Sequence, residues 1–95
     1  MAIRTFKDKA TETFFKKGTR PRKKGWDQVR EVARRKLDML GYADELDDLR
    51  SPPNNRLEAL KGSFKGLYSI RINDQWRIVF GWDHQPFDVQ IMDYH

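Results

Sequence analysis

Cysteine is absent from this 95-residue chain, and histidine occurs only twice, at His84 and His95. Disulfides and thiolate metal ligands are thereby excluded, and a zinc site resting on two histidines is disfavoured. No long apolar run occurs, so nothing reads as a membrane span or as the apolar part of a secretory leader. A cytoplasmic location with no membrane partner is the expectation. The sequence also lacks a phosphate-cradling glycine motif, a nucleophile elbow and a metal-carboxylate signature. Chemistry without metal or cofactor is therefore expected.

What is present is cationic and aromatic. Nineteen Lys and Arg face fourteen Asp and Glu, a net charge of +5 that favours an anionic partner, nucleic acid ahead of acidic protein. Three Trp, six Phe and three Tyr supply a small aromatic-rich core. The length suits one domain over residues 1–95.

Patterning predicts an α+β fold, two N-terminal helices packed on a mostly antiparallel four- to five-stranded sheet. A short strand is expected over residues 3–6, then a helix from an Asp8 N-cap to Lys17 that Gly18 stops. Residues 18–25 read as a basic loop. Trp26, Val29, Ala33, Leu37 and Leu40 recur at helical spacing, which predicts a second helix over residues 26–40, ended by Gly41. Its charged sides, Arg34 among them, read first as a solvated face. Pro52 and Pro53 make a rigid turn. Residues 56–60 form a short strand, and residues 67–73, 76–83 and 87–94 form three consecutive antiparallel strands.

Register carries the functional argument. Tyr68, Ile70 and Ile72 share one side of a strand, and Trp76, Ile78, Phe80 and Trp82 share one side of the next. Both stripes reach one core only if a three-residue loop, Asn73 to Gln75, pairs Ile70 with Ile78, and that register sets Arg71 opposite Arg77. Like charges facing across strands are unfavourable, so either Glu58, Asp88 or Asp93 neutralises the pair or it serves to hold a phosphate. Lys61 adds a third cation. The last strand returns Asp93, Tyr94 and His95 beside Gln75 and Arg77, bringing a carboxylate, a stacking ring and an imidazole to the same place. Arg20, Arg22 and Lys23 are either solvated or steer an RNA surface.

Nearly the whole chain resembles the HigB-type toxins of the RelE superfamily, the plasmid-maintenance killer proteins. The likeness lies in IRTFKDKATE, KLDML, DLRSPPNNRLEALKG, SIRINDQWRIVF and the closing DYH. It implies a fold like that of microbial ribonucleases and a metal-independent endoribonuclease that cuts mRNA in the ribosomal A site. It also implies a HigA-type helix-turn-helix antitoxin as partner, with operator DNA reached only through that antitoxin. By motif, Lys61, Arg71 and Arg77 correspond to phosphate-handling residues, Gln75 to a base-reading position, and Asp93, Tyr94 and His95 to the catalytic end. Glu58 stands where some members carry histidine. It is expected to act as base or as a tether for a cation, while Arg20, Arg22, Lys23 and Arg34 are expected to grip ribosomal RNA. The competing expectation is a noncatalytic module, either a corepressor bound to the antitoxin or a basic RNA-associated protein.

Overall fold

Alternation of apolar and polar side chains decides how the sheet lies. The computed structural model describes residues 3–94. Its four strands are β1 (Glu58–Ala59), β2 (Tyr68–Arg71), β3 (Trp76–Trp82) and β4 (Pro86–Asp93), antiparallel in the order β1-β2-β3-β4. Ile70, Ile78 and Phe80 are fully buried together with Leu37 and Leu40 of a helix, so one sheet face meets the helical layer. The opposite face carries the intervening residues Ser69, Arg71, Val79 and Arg77.

The helices are α1 (Lys9–Lys17) and α2 (Arg30–Tyr42). Helix α1 ends as expected at Gly18, whose positive φ of 71° lets its amide donate back to the Phe14 carbonyl. Thr11 pins this helix to the sheet, its buried hydroxyl accepting from the Ile91 amide at 3.3 Å. The second helix departs from expectation at both ends. Its first turn, Gly25–Val29, is a 3₁₀ segment that seats Trp26 in the core. Gly41 does not stop it; the helix continues through this buried glycine to Tyr42.

The N-terminal segment does not form a full strand. Phe6 makes an isolated parallel bridge to Val89, supported by Arg4 donating to the Pro86 carbonyl and Val89 to the Thr5 carbonyl. Residues 56–60 give only the two-residue β1, because the 3₁₀ turn Pro53–Asn55 and a left-handed Arg56 leave little extended chain. The β3-β4 ladder shifts register between Val79 and Gly81. A β-carbon on Gly81 would lie 2.3 Å from the Phe87 ring, so glycine is what lets that ring cross the strand.

A buried polar cluster fastens the connection after α2. Lys36 is only 4% exposed, and its ammonium donates to the side-chain carbonyls of Asn55 and Asn54. Asn55, fully buried, in turn donates to the carbonyls of Leu49 and Ser51 at 3.1 and 3.3 Å. Burial, reinforced by the charges of Arg35 and Arg71, holds the Lys36 amine below the usual lysine range.

Candidate functional site

The hairpin register is the one the apolar stripes demand. Ile70 pairs with Ile78 and Arg71 with Arg77. The turn is closed by Asn73, whose side-chain oxygen accepts from the amides of Gln75 and Trp76 at 2.9 and 2.7 Å. The two arginines therefore stand opposite each other on the face away from the helices.

Each guanidinium has its own anchor. Arg77 donates to the buried Ser69 hydroxyl at 2.9 Å and pairs with Glu58 at 2.9 Å, with its side chain only 16% exposed. Arg71 pairs with Asp74, three residues on in the turn. Glu58 is thus a tether for an arginine, one of the two roles its charge allowed. The carboxylates that pair with the two arginines are Glu58, one of those expected, and Asp74, which was not. Asp88 instead lies at the other end of β4, where it accepts from the Thr5 hydroxyl. Because Asp74 is almost fully exposed, solvent screens its pairing, and Arg71 can be recruited by a stronger anion at low cost.

β4 brings its end to the hairpin. Asp93 lies opposite Trp76 and Met92 opposite Arg77. Gln75 donates its side-chain amide to Asp93 at 2.9 Å, and the Tyr94 amide lies 3.4 Å from the Gln75 carbonyl. Tyr94 meets Phe64 edge to face, with ring centroids 5.5 Å apart. Lys61 is exposed, precedes the 3₁₀ turn Gly62–Phe64 and makes no ion pair among the described residues. His95 lies outside the described residues.

The basic residues of the N-terminal half sit elsewhere. Arg20 makes a forked pair with Asp27 at 3.1 and 3.0 Å, and this hydrogen bond holds the Asp27 carboxyl below the usual range. Arg34 donates to the Phe14 carbonyl at 3.3 Å and lies over the Phe15 ring, so it also ties α2 to the end of α1. Arg22 and Lys23, with Lys9 and Lys24, border a groove between α1 and the basic loop. Sequence reasoning missed three partners in the site: Ser69, Asp74 and Phe64. Ser69 and Asp74 were within reach of simple rules, being two residues before and three after Arg71. Phe64 was not, since its contact joins the loop after β1 to the segment that follows β4.

Among the described residues, no group of three or more His, Cys, Asp or Glu could hold a metal ion, and no helix is long and apolar enough to cross a membrane.

A family described as the RelE-like toxin of type II toxin-antitoxin system HigB matches residues 4–95. Toxin HigB-1 of Vibrio cholerae serotype O1 is 43% identical over 77 residues, spanning 81% of this chain and 80% of that protein. An uncharacterized protein of Haemophilus influenzae is 38% identical over 65 residues, 68% of this chain and 64% of its own length. Among solved structures, a chain of the YoeB-YefM complex from Staphylococcus aureus superposes with a TM-score of 0.57 at 24% identity, covering 100% of this chain and 97% of that one. The last likeness concerns the fold alone.

Proposed function

The chain belongs to the HigB-like, RelE-superfamily toxins of type II toxin-antitoxin systems, and from that premise we propose that it is a ribosome-dependent endoribonuclease that cuts mRNA in the A site. The observation that carries this reading is the Arg71–Arg77 pairing, with Gln75 and Tyr94 held at the same strand ends. Glu58 and Asp74 answer the two guanidinium groups in the free protein, and because Asp74 is exposed and solvent screens its pairing, a phosphodiester can take its place on Arg71 beside Arg77.

The reaction uses the RNA's own 2'-hydroxyl. Its oxygen attacks the adjacent phosphorus as its proton passes to a base, the bond to the 5'-oxygen breaks, and an acid protonates the leaving oxygen. The products are a 2',3'-cyclic phosphate and a free 5'-hydroxyl. Lys61, Arg71 and Arg77 take up the charge that gathers on the phosphate oxygens, each well-placed donor worth roughly 10²–10³ in rate. Glu58 holds Arg77, and Asp93, which accepts from Gln75, serves as base or orients His95, the acid. Tyr94 stacks on a splayed base, and Gln75, steadied by Asp93, reads a base edge.

The basic loop supplies the grip. Residues 16–24 contain six of the nineteen basic residues and no acidic one, so the remainder of the chain, thirteen against fourteen, is close to neutral. The excess charge therefore lies in this segment, whose Gly25 end packs against the Trp76 ring, and Arg20, Arg22 and Lys23, with Arg34 on α2, hold ribosomal RNA while the ribosome presents the message. A HigA-type helix-turn-helix antitoxin is the neutralising partner, and operator DNA is reached only through it.

The test is to add the protein to translating ribosomes and map new 5' ends. Cuts at A-site codons that vanish with Arg77→Ala are expected. Intact mRNA with folded wild-type protein would sink the enzymatic reading in favour of a noncatalytic module.

A further inference from the structure

The 60–67 loop is built as a closed unit. Leu60 donates to the Leu67 carbonyl at 2.9 Å across its base, while Phe64 donates to the Lys61 carbonyl and Leu67 to the Phe64 carbonyl within it. Gly62 and Gly66 adopt φ values of 65° and 96°, which permit the two reversals. The loop leaves the sheet at β1, one edge, yet the Phe64 ring meets Tyr94 just beyond β4, the other edge. The Phe64 ring thus reaches from the loop at the β1 edge to the segment that follows β4. Ser69 and Val79, on the strands between, are fully buried.

This contact joins two parts of the candidate site that the chain supplies separately. Lys61 and Phe64 are tied by a backbone hydrogen bond of 3.2 Å, and Phe64 and Tyr94 by perpendicular rings at 86°. A perpendicular pair leaves each ring with a face its partner does not cover, and such pairs prefer a defined geometry. Without Phe64, the Tyr94 ring would be held mainly through its backbone, since it follows the last paired residue of β4.

We propose that Phe64 is a positioning residue of this site: its ring sets the angle of Tyr94 for stacking on a nucleobase and locks the Lys61 loop to the C-terminal segment. The inference rests on the ribonuclease reading above and assigns a residue that touches no reacting atom. Phe64 acts through Tyr94. Its removal therefore lowers the rate of the step while leaving capture by the ribosome unchanged, because that capture is assigned to cationic side chains and Phe64 carries no charge.

The experiment measures cleavage of ribosome-bound mRNA by wild type, Phe64→Ala, Phe64→Tyr, Tyr94→Ala, the Phe64→Ala/Tyr94→Ala double variant and Arg77→Ala. Phe64→Ala is expected to lower kcat by about tenfold to a hundredfold, as a displaced reacting group does, with KM within about threefold. Phe64→Tyr should restore the rate, and the double variant should be no worse than Tyr94→Ala alone. Phe64→Leu, which keeps apolar volume without a ring, carries the same expectation if the alanine variant does not fold. A kcat near wild type for Phe64→Ala, or losses that multiply in the double variant, overturns the proposal while Arg77→Ala still abolishes cutting. Intact mRNA with folded wild-type protein would instead remove the ribonuclease reading and this inference with it, whereas full cutting by Arg77→Ala would remove only the role given to Arg77.

Discussion

Asn55→Ala is the substitution whose cost follows most directly from the structure. Asn55 accepts from a buried ammonium and donates to two backbone carbonyls, so its loss strands three groups at once. A hydrogen bond to a charged group contributes about 1.5–3 kcal/mol, and each buried group left unsatisfied adds on the order of 1 kcal/mol or more. With the Lys36 ammonium left one distant acceptor, Asn54 at 3.4 Å, these contributions together give an expected loss of about 3–5 kcal/mol. That is a large part of the ~5–15 kcal/mol that holds a domain together.

Two controls isolate the charge. In a Lys36→Met background Asn55→Ala should cost about 1.5–3 kcal/mol less, because no ammonium remains to be stranded. The pH dependence has a definite sign. Lys36 is depressed below 10.5 in the fold, so between its folded and unfolded values the unfolded chain binds more protons and stability rises with pH. The penalty for burying the charge is fully present below that window and relieved through it. Asn55→Ala depresses the amine further, so its cost should shrink as pH rises toward the ordinary lysine value, read from urea midpoints at constant m. A cost under about 1 kcal/mol, or one indifferent to both Lys36→Met and pH, refutes the claim that Asn55 stabilises a buried ammonium.

Glu58→Gln keeps an acceptor for Arg77 but removes the charge, so as a tether it should lower kcat by no more than about tenfold and leave the acid limb of the pH-rate profile in place; loss of that limb would make Glu58 the base. Replacing Arg22 and Lys23 by Ser should weaken ribosome binding and flatten its salt slope by roughly one to two, with the cut products unchanged. Gly81→Ala places a β-carbon against the Phe87 ring and should cost about 1–3 kcal/mol or more in urea unfolding. In acid, the contribution of the Arg20–Asp27 pair is present above the ordinary carboxylate value and lost as pH falls through the lowered folded one. Arg20→Gln should therefore narrow its stability gap from wild type on acidification, and a gap that widens would contradict the pairing.

Much of the site was legible because strands have a period of two. Once the apolar stripes had to share a core, Arg71 was forced opposite Arg77 and the end of β4 was forced back to Gln75. The helix boundary was less so. Gly41 reads as a stop by propensity, but packing of the surrounding helix kept it buried and helical to Tyr42. The predicted strand at residues 3–6 shrank to a bridge at Phe6 for a related reason: its pairing is set by what β4 leaves open, which local pattern does not encode.

Alternation, charge and turn chemistry, all properties of neighbouring residues, determined by themselves the layer order and the hairpin register, while the family was legible in whole stretches of sequence shared with its members. Tertiary structure alone decided that Glu58 holds Arg77, that Asn55 shelters Lys36 and that Phe64 crosses to Tyr94. These contacts join residues whose separation in sequence follows no period, and only chain closure around a common core brings them within reach.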